Sequence, residues 1–218
     1  MNITTTDLTR AAGTAAAAAG AIFIGVQIGH PHVDVHSIVT TELFVRTTMK
    51  LVMASLALAG IAGLYLSQIR RNGLLGLVGY LVLSLGYLSI LATTFVSGYV
   101  LPSIAGANPA YVSDVLAAST GGHPVGDIGP LRVVLQLQGI AYLVGGLLLG
   151  IALFRARVVA RWAAVLLAVG GLVSAALSVM PDAFYRLLAY PNGLAMIGLG
   201  ISLWQTTTVA RQPVAVAP

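Results

Sequence analysis

The sequence predicts an all-α protein: a polytopic membrane helix bundle with six transmembrane helices over about 11–29, 48–69, 74–101, 133–154, 158–180 and 183–204. Three observations carry this. Eleven basic and six acidic residues fence off six uncharged stretches, 11–33, 51–69, 72–113, 133–154, 162–181 and 187–210. About 20 apolar residues suffice to cross the hydrocarbon of a bilayer. The chain is 58% hydrophobic and 8% charged, whereas soluble domains carry about 25% charged residues. Its 25 glycines suit close approach of helices in lipid. Residues 1–218 therefore form a single transmembrane domain, with long outer loops at 30–47 and 102–131.

The first span is Ala-rich and continues through Phe23 to Gly29, beyond any cleavage-like Ala15-Ala16-Ala17, so it reads as a retained helix. Gly13, Ala17, Ala21, Gly25 and Gly29 follow one another every four residues, as do Ser55, Ala59, Gly63 and Ser67 of span 2. Both series predict small-residue contact faces, which could also join copies into a homo-oligomer. Ahead of span 2, Glu42, Arg46 and Lys50 form a charged stripe, in the favourable order for an i,i+4 pair. A Glu42–Arg46 pair predicts that reversing both charges restores what reversing one destroys. Glu42 is the candidate acid, and Arg46 a candidate for an anionic headgroup.

Span 3 ends near Pro102, because proline interrupts a helix. It puts Tyr80, Ser84, Tyr87 and Thr94 near one face. Span 4 brings Gln138 and Tyr142, and the two predict a polar seam, since polar groups in lipid seek partners on neighbouring helices. A tight basic turn, Arg155-Ala156-Arg157, leads to span 5. Span 6 holds Tyr190-Pro191-Asn192-Gly193, an expected kink where Asn192 faces the interior and satisfies a freed carbonyl. Arg186 precedes it as a further candidate for ligand binding.

Charge sets the orientation. With both termini cytoplasmic, seven basic residues (Arg10, Arg70, Arg71, Arg155, Arg157, Arg161, Arg211) lie inside and four (Arg46, Lys50, Arg132, Arg186) outside, as the positive-inside rule asks. The expected location is a bacterial inner membrane. The basic residues flank apolar blocks, so nucleic acid is excluded as a partner.

All four histidines fall on the outer side. Gly29-His30-Pro31-His32-Val33-Asp34-Val35-His36 and Gly122-His123-Pro124-Val125-Gly126-Asp127 share Gly-His-Pro-x-x-Asp, a candidate trace of a duplicated two-span unit. Imidazole with carboxylate suits a divalent transition metal. The candidate ligands are His30, His32, Asp34, His36, His123 and Asp127. The absence of cysteine removes thiolate sites and disulfides.

Thr41-Glu42-Leu43-Phe44-Val45-Arg46 is similar to an element of a bacterial multi-pass integral membrane family known only as a domain of unknown function. Gly150-Ile151-Ala152-Leu153-Phe154-Arg155, Ala160-Arg161-Trp162 and Leu166-Leu167-Ala168-Val169-Gly170-Gly171 also resemble its later spans. The resemblance covers spans 2, 4 and 5 and implies no activity. The expected function is a non-enzymatic small carrier, lipid-binding or accessory membrane protein. Its partners are the lipid bilayer and a lipid or small hydrophobic ligand. The alternative is a membrane-embedded enzyme acting on a lipid or isoprenoid at the outer leaflet, with metal assistance.

Overall fold

The computed structural model describes residues 2–177 and 189–209, and every regular element among them is helical. The elements are α1 (Thr5–Gly25), α2 (Thr41–Leu66), α3 (Ile69–Phe95), α4 (Leu101–Ile104), α5 (Pro109–Ser119), α6 (Leu131–Ala156), α7 (Arg161–Leu177) and α8 (Ala189–Val209). A π-helical turn, Val96–Val100, joins α3 to α4. Four described helices are long and apolar enough to cross a membrane: α1, α2, α6 and the continuous run Ile69–Ile104. Large apolar side chains point outward along them, such as Leu81, Leu85 and Leu88 on α3 and Leu137 and Ile140 on α6. Water does not tolerate an apolar belt of that extent on a monomer.

Several boundaries differ from the sequence-based ones for local reasons. The first helix starts at Thr5 rather than near 11, because Thr4 and Asp7 close a capping box that satisfies two free N–H groups. Span 2 starts at Thr41, where the Thr40 hydroxyl accepts from Leu43 N at 3.4 Å. The third span ends close to Pro102, as expected, at Ile104. The wide turn at 96–100 precedes the proline, which sits in the first turn of α4 where its missing N–H costs nothing. Segment 102–131 is not simply a loop, since α5 lies within it. Val112, Val115 and Leu116 of α5 pack with Ile38, Leu43, Leu101 and Ile128 as a second small core. Pro191 falls in the first turn of α8 and makes no kink among the described residues. The end of expected span 5 and the start of span 6 lie outside the described residues, as does Arg186.

Six helices close into a ring in the order α1, α2, α3, α6, α7, α8, with α8 returning to α1. Their shared core includes Ala16, Met53, Ile61, Leu83, Leu149, Leu153, Ala163 and Leu199. One end of the ring carries the tight turns at 67–68 and 157–160; the other carries the long connections. Every helix in the ring runs opposite to its neighbours.

The order of neighbour contacts repeats round the ring, first through α1, α2 and α3 and then through α6, α7 and α8. The triplet α1–α2–α3 matches α6–α7–α8, with each helix antiparallel to its counterpart. Both joints between triplets are very close antiparallel contacts with glycine every seven residues. In α3–α6, a Cβ on Gly86 would stand 2.9 Å from Tyr142 N, and Gly79 abuts Leu149. In α8–α1, a Cβ on Gly193 would stand 2.9 Å from Gly20 O, and one on Gly13 2.8 Å from Gly200 O. Gly79, Leu85, Gly86 and Thr93 of α3 have counterparts in Gly193, Leu199, Gly200 and Thr207 of α8. Ala54, Leu56 and Gly60 of α2 match Ala164, Leu166 and Gly170 of α7. Buried polar bonds recur too: Thr93 Oγ1 donates to Gln138 Oε1 at 2.6 Å in one joint. Arg10 Nε donates to Thr207 Oγ1 at 3.0 Å in the other. The two Gly-His-Pro-x-x-Asp motifs do not follow this relation. One lies between the first and second helices of its triplet and the other ahead of its triplet.

The four-residue small stripes are only partly contact faces. Ala21 and Gly25 of α1 are exposed, as are Ser55 and Ala59 of α2. With about 3.6 residues per turn, a strict spacing of four drifts round the helix by about 40° a step. The buried face of α1 instead runs through Gly13, Ala16, Ala19 and Gly20. The buried part of these small faces packs within the chain.

Candidate functional site

The α3–α6 joint gathers several polar side chains: Tyr87 and Thr93 from α3, Gln138 and Tyr142 from α6. Tyr87 is 3% exposed, and its ring meets that of Tyr142 edge to face, with centroids 5.4 Å apart. Gly86 permits this, because its missing side chain lets the α6 backbone at Tyr142 approach. Toward the long-loop end, the Thr93–Gln138 bond crosses the joint. The partner is Thr93 rather than the expected Thr94. Toward the other end the joint is apolar, with Leu149 and Leu153 fully buried. Between these closures the Ser84 hydroxyl is buried with no hydrogen-bond partner, and the buried Tyr142 hydroxyl interacts with that of Tyr87. A buried hydroxyl without a partner costs about 1–3 kcal/mol. No ionised side chain is buried among the described residues; the buried polar ones are Thr47, Gln68, Asn72, Thr93, Asn192 and Thr207.

Asn192 is interior, 3% exposed, and its amide fills the space that the absent side chain of Gly170 leaves on α7. It belongs to the α7–α8 contact, away from Tyr87 and Tyr142.

Glu42 and Arg46 stand on the long-loop end of α2. Arg46 Nη2 lies 2.9 Å from Glu42 Oε1. The guanidinium also donates to Val26 O and Ile28 O at 3.0 Å and to Gly29 O at 3.1 Å. Arg46 thus caps the carboxyl end of α1, where carbonyls lack helical partners and a positive charge is favoured. Sequence reasoning found the pair but missed the cap, which depends on a chain reversal 20 residues upstream. Lys50 Nζ lies 2.9 Å from His30 Nε2, while His30 Nδ1 lies 2.8 Å from Pro31 O. An open groove of about 590 Å³ runs beside the pair, lined by Val26, Ile28, Val45 and Met49.

The proposed metal ligands are not brought together. Among the described residues no three His, Asp or Glu side chains are placed to share an ion. The Asp34 carboxylate accepts from Ser37 N at 2.7 Å and His36 N at 2.9 Å, and these bonds hold its pKa below the usual carboxylate value. Asp127 accepts from Gly129 N at 2.8 Å. Both acids shape turns. His32, His36 and His123 are exposed. His30 points to Lys50.

No family model, curated protein or solved structure matches this chain. The reading of its function therefore rests on its own geometry.

Proposed function

We propose that this protein is a six-span carrier for a small uncharged polar solute, seated at the α3–α6 joint. The observation that supports the proposal is a polar group within apolar helices: the Ser84 hydroxyl, buried with no hydrogen-bond partner, and the Tyr87–Tyr142 ring pair stand on α3 and α6, the helices that join the two triplets. Inverted repeats with the site at their interface, near the middle of the bilayer, are a recurrent plan of secondary transporters. The α1–α8 joint is lined by glycine and alanine and suits rocking of one triplet against the other. The cargo is uncharged, because an ion in a low-dielectric site needs a compensating charge or a ring of carbonyls. Tyr87 and Tyr142 give it aromatic edges, and Ser84 and Tyr142 its hydrogen bonds. The Thr93–Gln138 bond closes the seat toward the long-loop end.

Placement follows from charge. Arg10, Arg70, Arg71, Arg155, Arg157 and Arg161 gather at the tight-turn end, with Asp7 as the described acid there. The positive-inside rule makes that end cytoplasmic in a bacterial inner membrane, with both termini inside. For the enzyme alternative, Glu42 is paired with Arg46, and no second acid or histidine stands beside it among the described residues.

Purified protein in liposomes tests the cargo class. Efflux of a graded panel of neutral solutes (urea, glycerol, pentitols, hexitols) is compared with empty liposomes and with Tyr142→Phe. At least one solute should leave faster through the protein and more slowly through the variant. Efflux equal to empty liposomes across the panel would contradict the assignment.

A further inference from the structure

The tight-turn end holds a second polar recess that the carrier seat does not use. It lies between the α2–α3 turn and the α6–α7 turn, about 480 Å³ in volume, lined by Ser67, Gln68, Ile69, Arg70, Arg71 and Val158. Gln68 is 3% exposed. Its Nε2 reaches Leu64 O at 3.5 Å, but its Oε1 is buried with no donor. Beneath it Asn72, 4% exposed, sends Nδ2 to Tyr65 O at 3.4 Å and also leaves its Oδ1 without a donor. Arg70 and Arg71 are exposed at the mouth, and their guanidinium groups make no hydrogen bond or ion pair among the described residues.

The recess therefore offers two cations and a buried acceptor. Their complement is an anion that carries its own donor. A fully deprotonated phosphate matches the arginines but leaves Gln68 Oε1 unanswered; a choline headgroup supplies no donor at all. A glycerol phosphodiester supplies both, with the phosphate for Arg70 and Arg71 and a hydroxyl donating to Gln68. The neighbouring exposed Leu66 and Ile69, 63% and 50% accessible, give the acyl chains of such a molecule an apolar wall. We infer that this recess is a binding site for a lipid with an anionic glycerol-phosphate headgroup in the cytoplasmic leaflet. Anionic headgroups are drawn to basic residues at that level. The inference needs the tight-turn end to meet a headgroup layer and is independent of the carrier reading.

The test is native mass spectrometry of the full chain released from detergent, with phosphatidylglycerol, phosphatidic acid and phosphatidylcholine of equal chain length added in turn. Wild type should keep phosphatidylglycerol at collision energies that strip the other two. Arg70→Gln/Arg71→Gln should bind it about thirtyfold less. Gln68→Met should erase its advantage over phosphatidic acid. Arg155→Gln/Arg161→Gln removes the same charge from the same end without touching the recess wall and should bind as wild type does. Equal losses in both arginine pairs would overturn the site in favour of diffuse attraction. Equal retention of all three lipids by wild type would also overturn it. Displacement by millimolar glycerol 3-phosphate would overturn the lipid assignment and make a free phosphate ester the occupant. Flux of neutral solutes by the Arg70→Gln/Arg71→Gln variant separates failure here from failure of the carrier reading.

Discussion

Arg46 is the side chain on which the long-loop end depends most. Its charge meets one carboxylate and three backbone carbonyls, whereas Glu42 is 57% exposed at its side chain. Exposed pairs contribute about 0–1 kcal/mol, and hydrogen bonds to a charged group about 1.5–3 kcal/mol. Arg46→Ala should therefore lower the melting temperature in detergent well beyond Glu42→Ala. The sequence reading expected a double charge reversal to rescue either single one. The structure reverses that expectation, because a glutamate at position 46 would face the Val26, Ile28 and Gly29 carbonyls. Rescue by Glu42→Arg/Arg46→Glu would contradict the cap. Asp34 has a pH signature of its own. Its pKa is lowered by backbone N–H groups, so its stabilisation is complete above the usual carboxylate range and fades as pH falls through the depressed value. Asp34→Asn should remove that acid-side loss from a melting curve. The pairing of Glu42 with Arg46 was legible from i,i+4 spacing. The role of Lys50 toward His30 was not, because a turn brings them together.

Helix contacts here are set by glycines whose missing side chains are filled by a neighbour's backbone. Gly86 and Gly139 make a matched comparison. A Cβ at Gly86 would lie 2.9 Å from Tyr142 N, while one at Gly139 would meet nothing within 4 Å. Backbone cannot step aside as a flexible side chain can. Gly86→Ala should cost about 1–3 kcal/mol, and Gly139→Ala should be neutral or stabilise by up to about 1 kcal/mol. Thermal unfolding of the two variants in one detergent checks the sign. The Thr93–Gln138 bond should show a coupling of about 0.6 kcal/mol, and under about 2, in a double-mutant cycle with Thr93→Val and Gln138→Leu. Helix existence was readable from uncharged blocks. Helix ends were less so, because a capping box at Thr4–Asp7 and a π turn before Pro102 act through backbone bonds that hydropathy does not register. The contact faces were misjudged where a four-residue spacing was followed for more than two turns.

At the scale of the molecule, the recurrence of contacts between the two triplets was invisible in sequence. Its imprint is a few glycines, leucines and threonines set about 110 residues apart in chains of similar apolar composition. Only the closed ring shows that Thr93 with Gln138 and Thr207 with Arg10 hold equivalent places. The polar seam, by contrast, was readable, since Tyr87, Gln138 and Tyr142 stand out in apolar surroundings. The metal reading failed to find geometric support because histidines and aspartates close in sequence were separated by the turns that Asp34 and Asp127 stabilise. The central claim is that the seat at the α3–α6 joint opens alternately to the two sides. The chain has no cysteine, so Ser84→Cys is a unique reporter. The decisive measurement is its labelling by a membrane-impermeant maleimide added to right-side-out or to inverted vesicles. A carrier predicts slow labelling from both sides, each slowed further by the transported solute. Labelling from neither side, with full labelling after denaturation, would mean a permanently closed core and would contradict the account.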